Sequence, residues 1–362
     1  MKQRRNYAAI DNFRLVAALL IVAIHTAPLA SFSETADFLV TYCLGRVGVP
    51  FFLMVSGFFV LAPYQRRRQY ARGKLSHRSS GSLRNESAEG VFSGSMGRFL
   101  KKTALLYVIS TLLYLPLKIY SHNISDSVGG WLKEIFFDGT FYHLWYLPAV
   151  ILGCLLIVGL LYVCSPLTVS VIVFVLYILG MLGDSYYNLI SQIPFLKMVY
   201  EGLFTVSSYT RNGIFFAPLF LWMGVLLANG KVRLSRKAAW IGLIISLAGM
   251  LAEGLISFQL QWQKHNSMYF LLIPVMFFLF ELLLSLDCHG VDIARDLSMY
   301  IYILHPLCIV LVRGAATALK MEESLVEQSL LHYLAVVVLS VMLSMAVVGA
   351  KRMYQRFVTE KD

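Results

Sequence analysis

The chain has 362 residues, of which 58% are hydrophobic and only 14% are charged, and its mean hydropathy is +0.69. A water-soluble globule of this composition would expose a grossly apolar surface, so the values exclude an ordinary soluble protein. The formal net charge of +11 falls mainly in alternate loops, so it indicates membrane topology and gives no reason to expect a nucleic-acid partner.

Ten apolar runs follow one another along the chain, most of them about as long as a membrane span requires. They predict helices at 9–29, 40–63, 101–120, 142–164, 167–184, 212–229, 238–258, 268–286, 297–319 and 329–350. The predicted fold is therefore all-α: a single polytopic membrane domain over residues 1–362 with about ten transmembrane helices. The basic N-terminus resembles a signal peptide, but Asp11, Arg14 and His25 interrupt the apolar run after it. This pattern favours a retained first helix.

Basic residues concentrate in the N-terminus, in the loops at 64–102 and 231–237, and in the C-terminal tail. The loops near 121–141, 185–211, 259–267 and 320–328 carry few of them. By the positive-inside rule both termini are cytoplasmic, as an even number of spans also requires. Residues 65–97 are rich in Arg, Ser and Gly and predict a flexible basic cytoplasmic loop. This loop either only anchors the topology or binds an anionic lipid or acidic ligand.

The first predicted helix carries three ionisable residues, Asp11, Arg14 and His25, within a sector of about 60°. A charged side chain at the centre of a span costs about 2.5–3.5 kcal/mol, so such a stripe should face a protein interior or a polar cavity. A purely structural arrangement is also open, with Asp11 and Arg14 paired at the interface and His25 packed in the core. A neutral imidazole at membrane depth would suit a general base.

Polar and small residues in later helices are candidates for lining a cavity. Helix packing is the structural alternative for Ser56 and Gly57, and anchoring at the membrane interface is the alternative for Trp145. Mutual neutralisation of Glu253 and Arg313 is a further structural possibility. The five cysteines form no CxxC pair, so neither a disulfide framework nor a metal site is predicted. The complete set of cavity candidates is Arg46, Ser56, Gly57, His143, Trp145, Glu253, His305 and Arg313.

Four motifs together resemble the acyltransferase 3 family of bacterial integral membrane acyltransferases. Arg14 and His25 match an R-x10-H signature, and VPFFLMVSGFF, HLWYLP and IYILHP resemble later elements of the family. The resemblance extends to the membrane domain of vancomycin-resistance-type serine racemases, in which HLWYLPAVILG and RNGIFFAPLFLWMG have counterparts. Those proteins carry a pyridoxal-phosphate racemase domain after the membrane part. This chain ends just after its last predicted span, so racemisation is not expected.

The resemblance implies a multi-pass protein of the bacterial plasma membrane that transfers an acyl group, usually acetyl. Acyl-CoA would be a cytoplasmic co-substrate, with no bound cofactor. The acceptor would be a hydroxyl or amine outside the cytoplasm, on a cell-surface glycan or a small molecule. His25 would be the base, with Arg14 and Asp11 orienting or stabilising the site. Acyl-CoA would bind a basic pair equivalent to Arg98 and Lys101, and the run containing Arg66 and Arg68 is the rival location.

Two other classes of function stay open at this point. The similarity to racemase membrane domains points to a permease or binding domain for a small polar solute such as serine, although no internal repeat typical of transporters is visible. The second class is a membrane scaffold in which the buried charges only neutralise one another.

Overall fold

The computed structural model describes residues 7–75, 94–230 and 233–359, and this part of the chain is helical without any β-strand. The fold is a polytopic all-α membrane protein, as the composition predicts. Its long helices, numbered in chain order, are α1 (Ala8–Thr26), α2 (Glu34–Tyr70), α3 (Ser95–Tyr120), α4 (Tyr146–Val163), α5 (Pro166–Leu182), α6 (Pro194–Val206), α7 (Ala217–Ala228), α8 (Arg236–Gln259), α9 (Leu272–Ser285), α10 (Ala294–Leu319) and α11 (Ser329–Thr359).

Among the described residues, 7 helices are long and apolar enough to cross a membrane, namely α1, α2, α3, α4, α8, α10 and α11. Three of the ten predicted spans, α5, α7 and α9, are apolar but shorter, at 17, 12 and 14 residues. The seven and the three together correspond to the ten predicted apolar runs. Stretch α2 covers 37 residues and includes π-helical turns at Leu39–Cys43 and Gly57–Leu61.

The predicted loop at 65–97 needs a correction at both ends. The helical segment Ala62–Leu75 carries the helix past Tyr70, the last residue assigned to α2, and α3 already begins at Ser95. Arg, Gln and Lys are good helix formers, so the helix continues through the basic stretch. The rest of this predicted loop, 76–93, lies outside the described residues.

Helix α6 was missed by the sequence analysis, which predicted a loop at 185–211. It begins with Pro194, a favoured residue at the first helical position. Tyr200 faces inward and its hydroxyl donates to the carbonyl of Leu179 in α5 at 2.6 Å. The opposite face exposes Phe195 and Met198. The helix is amphipathic and too short to span a bilayer, which is why a search for long apolar runs does not find it.

Contacts divide the chain into two units. The first contains Met1–Phe52, Leu234–Leu260 and Tyr269–Asp362. In this unit the start of α1 contacts the start of α10, since Asp11 accepts a hydrogen bond from Arg295 at 3.3 Å. Lys351 near the end of α11 pairs with Asp296 at 3.0 Å. The beginning of α1 and the end of α11 therefore lie at the same end, as an even number of spans requires. The cytoplasmic location of this end stays a prediction.

The second unit contains Leu53–Arg233 and Gln261–Met268. Parts of three loops predicted to be extracytoplasmic meet at one of its ends. Asp138 accepts a hydrogen bond from the amide of Ser208 at 2.9 Å, and the amide of Asn188 donates to Trp262 at 2.8 Å. The three loops therefore share one face of the unit, as the alternation of loop charge predicts.

Candidate functional site

His25 and His305 lie side by side within the first unit. Their rings stack with centroids 5.3 Å apart and an angle of 24° between the planes. His305 is fully buried, and its Nδ1 lies 2.8 Å from the carbonyl oxygen of Tyr302 and 3.2 Å from that of Ile301. A carbonyl oxygen only accepts, so Nδ1 carries the proton and Nε2 is the basic nitrogen of the neutral ring. The structure thus brings together two histidines that are 280 positions apart.

The two helices that carry this pair run in the same direction. They contact each other at Asp11 with Arg295 and again at His25 with His305. The second contact lies 14 residues further along α1 and 10 residues further along α10. At about 1.5 Å per residue, the histidine pair is about 15–21 Å from the charged end, which places it inside the apolar thickness of the two spans.

Arg14 and Asp11 form a separate ionic group at the charged end of α1. The Nε of Arg14 donates to Oδ1 of Asp11 at 2.9 Å, and Arg295 approaches the other carboxylate oxygen at 3.3 Å. Arg14 precedes His25 by 11 residues, or about 16 Å along the helix, which is further than an arginine side chain reaches. Arg14 and His25 therefore lie at different depths of α1, and the joint catalytic role expected for Asp11, Arg14 and His25 stays a prediction. Sequence reasoning also missed Arg295.

Arg46 belongs to the segment of α2 that passes beside the part of α1 containing His25. A Cβ on Gly45 would lie 2.7 Å from Ile24, the residue before His25, so the backbone of α2 passes directly beside this part of α1. The guanidinium of Arg46 lies 5.1 Å from the ring centroid of Tyr42. Its Nε is buried and has no hydrogen-bond partner among the described residues. Arg46 is thus a partly buried cation whose Nε has hydrogen-bonding capacity left over.

Glu253 has a structural role that differs from the expected pairing with Arg313. Its two carboxylate oxygens accept hydrogen bonds from the backbone amides of Phe270 and Leu271, at 2.6 and 2.8 Å. These amides come just before the first turn of α9, where backbone N–H groups have no partner within the helix. Arg313 is exposed on α10 and lies in electrostatic range of His332. Glu253 therefore holds the start of α9, and the expected neutralisation of Glu253 by Arg313 is wrong.

The predicted acyl-CoA contacts all belong to the second unit. Arg66 donates to the carbonyl of Ala228 and to Asn229 Oδ1, so it caps the C-terminus of α7. The guanidinium of Arg68 lies 3.7 Å from the ring centroid of Tyr162. Arg98 and Lys101 are exposed on the first two turns of α3, where the helix N-terminus favours anions.

Ser56 and Gly57 are buried where α2 crosses α7 in the second unit. A Cβ on Gly57 would lie 1.9 Å from the carbonyl oxygen of Leu221. A Cβ on Gly224 in α7 would lie 2.2 Å from the carbonyl oxygen of Met54. The absence of side chains at these two glycines lets the backbones of the two helices approach each other. The space beside Gly57 is filled by protein, which supports the packing interpretation and not a cavity at this residue.

His143 and Trp145 lie in the turn before α4. His143 is buried against Tyr114, with ring centroids 4.8 Å apart and the rings edge to face. Trp145 contacts Phe216, and the guanidinium of Arg211 lies 5.5 Å from its ring. The two predicted residues therefore occupy different surroundings, and only Trp145 faces a charged group in these contacts.

A polar cluster that the sequence analysis did not predict surrounds Asp184, at the end of the second unit where the three loops meet. Asp184 is fully buried, and its Oδ1 accepts the amides of Ser267 and Met268 at 2.6 and 3.1 Å. Burial lowers the pKa of His265 below its usual 6.5, while the carboxylate of Asp184 acts in the opposite direction. No group of three or more His, Cys, Asp or Glu able to hold a metal occurs in the described part of the chain.

Comparison with protein families identifies the class of this membrane protein. The profile of the acyltransferase domain family, acyltransferase 3, matches residues 7–349. The chain belongs to this family. The match includes both histidines of the stacked pair and almost all of the described helices, so membership supports a membrane protein with an acyltransferase-type role.

The curated proteins that resemble this chain are named racemases and not acyltransferases. An amino-acid racemase of Enterococcus faecalis is 37% identical over 352 residues, which is 96% of this chain and 46% of that protein. A serine/alanine racemase of Enterococcus gallinarum is 36% identical over 335 residues, covering 92% of this chain and 44% of that protein. The chain thus spans less than half the length of these relatives. No solved structure matches it.

Proposed function

We propose that this protein is a membrane acyltransferase that moves an acyl group, most simply acetyl, from cytoplasmic acyl-CoA to an extracytoplasmic acceptor. The acceptor group is a hydroxyl or amine, for example on a cell-surface glycan. The observation that carries the proposal is the stacked pair of His25 and His305 inside two spans of an acyltransferase 3 protein. Acyl transfer from a thioester needs a base at the acceptor, and a histidine in its neutral form is a suitable one.

In the proposed reaction, His25 takes the proton of the acceptor hydroxyl as its oxygen attacks the thioester carbonyl. The resulting tetrahedral oxyanion collapses, the carbon–sulfur bond breaks, and the proton passes from His25 to the departing thiolate. The products are the acyl ester and free CoA thiol. His305 is a positioning residue in this scheme, because its Nδ1–H is held by backbone carbonyls and its ring packs against that of His25.

Arg46 replaces Arg14 as the proposed partner of the oxyanion. Its buried Nε has hydrogen-bonding capacity left over, and the neighbouring Gly45 packs beside Ile24 of α1. A fixed cationic donor in a low-dielectric site stabilises developing negative charge strongly. Arg14 is paired with Asp11 at the charged end of α1. Its proposed role is to attract the anionic CoA part of the donor.

Arg98 and Lys101 are the proposed phosphate contacts in the second unit. Both are exposed near the N-terminus of α3, whereas Arg66 is engaged in capping α7. A basic pair at a helix N-terminus is suited to phosphate. Alanine at both positions should weaken acyl-CoA binding by the purified protein and leave the thermal midpoint of unfolding unchanged.

The test uses the whole protein in nanodiscs with radiolabelled acetyl-CoA and a panel of hydroxyl and amine acceptors. His25→Gln should lower transfer by about 10²–10⁴-fold, the usual contribution of a general base. His332→Gln is the control, because His332 is a buried histidine of another span that lies outside the stacked pair, and its Nδ1 faces the backbone carbonyl of Leu325. The control should keep its activity. Equal activity of wild type and His25→Gln on a verified acceptor contradicts the proposal.

A further inference from the structure

The polar cluster around Asp184 uses only part of its hydrogen-bonding capacity. The backbone carbonyl of Asp184 accepts the amide of Lys264 at 2.9 Å, and its Oδ1 accepts the amides of Ser267 and Met268. Residues 264–268 therefore wrap around the end of α5. This arrangement saturates Oδ1 and fixes the carboxylate in one orientation.

Three polar atoms of this cluster are buried and have no hydrogen-bond partner among the described residues. They are Oδ2 of Asp184, Nε2 of His265 and Oδ1 of Asn266. An unpaired buried polar atom costs about 1–3 kcal/mol, and more when it belongs to a charged group. Three such atoms in one cluster are unusual, because buried polar groups in native proteins are nearly always satisfied.

All three atoms are acceptors. A carboxylate oxygen and an amide oxygen can only accept hydrogen bonds. His265 makes a hydrogen bond with the backbone of Ser208 through its other ring nitrogen, so in the neutral ring Nε2 is an acceptor as well. The three unsatisfied atoms are therefore all acceptors, and one of them belongs to a carboxylate.

Aromatic rings and paired charges surround these acceptors. The ring of Tyr209 lies 4.4 Å from that of His265, and Tyr209 and Trp145 contact Arg211 through their faces. The Nη1 of Arg211 is bound to Ser267 at 2.9 Å. Aromatic faces attract cations. The negative charge of Asp184 is thus opposed nearby by Arg211, a cation whose donors are partly used by the protein.

We propose that this cluster binds a primary ammonium group of a small extracytoplasmic ligand. An ammonium group offers three donors and a positive charge, and the cluster offers unsatisfied acceptors of which one is a carboxylate oxygen. A single hydroxyl offers one donor and no charge. The proposal does not depend on acyl transfer, because the cluster belongs to the second unit and His25 belongs to the first.

The test measures broadening of the ¹³C signal of labelled methylammonium by the whole protein in nanodiscs, with labelled methanol as the probe of equal size that lacks the charge. We expect saturable broadening of methylammonium, relieved by excess ethylammonium, and no saturable effect on methanol. Absence of saturable broadening in the wild type overturns the proposal, and so does equal binding of methanol, which would indicate a hydroxyl or water site.

Asp184→Asn keeps the shape and the Oδ1 acceptor but removes the charge. It should weaken methylammonium binding about tenfold or more, the loss expected for a charge-assisted hydrogen bond. Asn266→Ala removes a second acceptor without touching the Oδ1 bonds, and it serves if Asp184→Asn fails to fold. Asp126→Asn is the matched control, since Asp126 is exposed in the 121–141 loop. Unchanged binding in both cluster variants contradicts the assignment, as does an equal loss in the control.

Discussion

Replacing Glu253 by alanine should destabilise the protein by about 3 kcal/mol. The carboxylate accepts two backbone hydrogen bonds at the start of α9, at 2.6 and 2.8 Å. A hydrogen bond to a charged group contributes about 1.5–3 kcal/mol. We take the low end for each of the two bonds, because the amide of Phe270 is exposed and a new partner can reach it. Glu253→Gln keeps an acceptor and should lose about half as much.

The free energy of unfolding can be measured in mixed micelles of dodecyl maltoside and sodium dodecyl sulfate. A double-mutant cycle of Glu253→Ala with Arg313→Ala should show additivity within about 0.5 kcal/mol, since the observed partner of Glu253 is the backbone and not Arg313. A loss below about 0.5 kcal/mol for Glu253→Ala, or a coupling above about 1 kcal/mol between the two positions, would refute the reasoning. The second result would restore the ion pair expected from the sequence.

Two further predictions concern the second unit. Gly57→Ala should lower the free energy of unfolding by about 1–3 kcal/mol or more, because its Cβ meets the backbone of Leu221. The control is Gly159→Ala, whose Cβ would meet nothing within 4 Å and which should be neutral or stabilising by up to about 1 kcal/mol. Equal effects of the two substitutions would contradict the close crossing of α2 and α7. The folded-state pKa of His265 lies below 6.5. The unfolded chain therefore binds more protons than the folded chain as the pH falls below that value, and acid lowers the free energy of unfolding. His265→Gln should reduce this loss between pH 7.5 and 5, and an unchanged pH profile contradicts the assignment.

Most of the fold could be predicted from the sequence, because membrane spans leave a strong local pattern. Each of the ten apolar runs became a helix, and the alternation of loop charge grouped the loops correctly in the second unit. Helix α6 escaped because Lys197 and Glu201 interrupt its apolar residues, and because 13 residues are too few for a span. The basic stretch after Ala62 was wrongly predicted as a loop from its composition, although Arg, Gln and Lys favour helix.

The candidate site was predictable only where a motif marks it. His25 and His305 were both selected from the sequence, yet their stacking depends on the packing of α1 against α10. The partner of Glu253 is a pair of backbone amides, which charge complementarity cannot indicate. Asp184 and His265 are 81 positions apart in two loops, and no periodic pattern connects them.

The central claim is that His25 is the base of an acyl transfer inside the membrane. The most direct measurement is single-turnover transfer from radiolabelled acetyl-CoA to a verified acceptor in nanodiscs, comparing wild type, His25→Gln and His332→Gln. Our account predicts loss of the chemical step in His25→Gln, with acetyl-CoA binding kept and with His332→Gln active. Transfer at the wild-type rate in His25→Gln would contradict it.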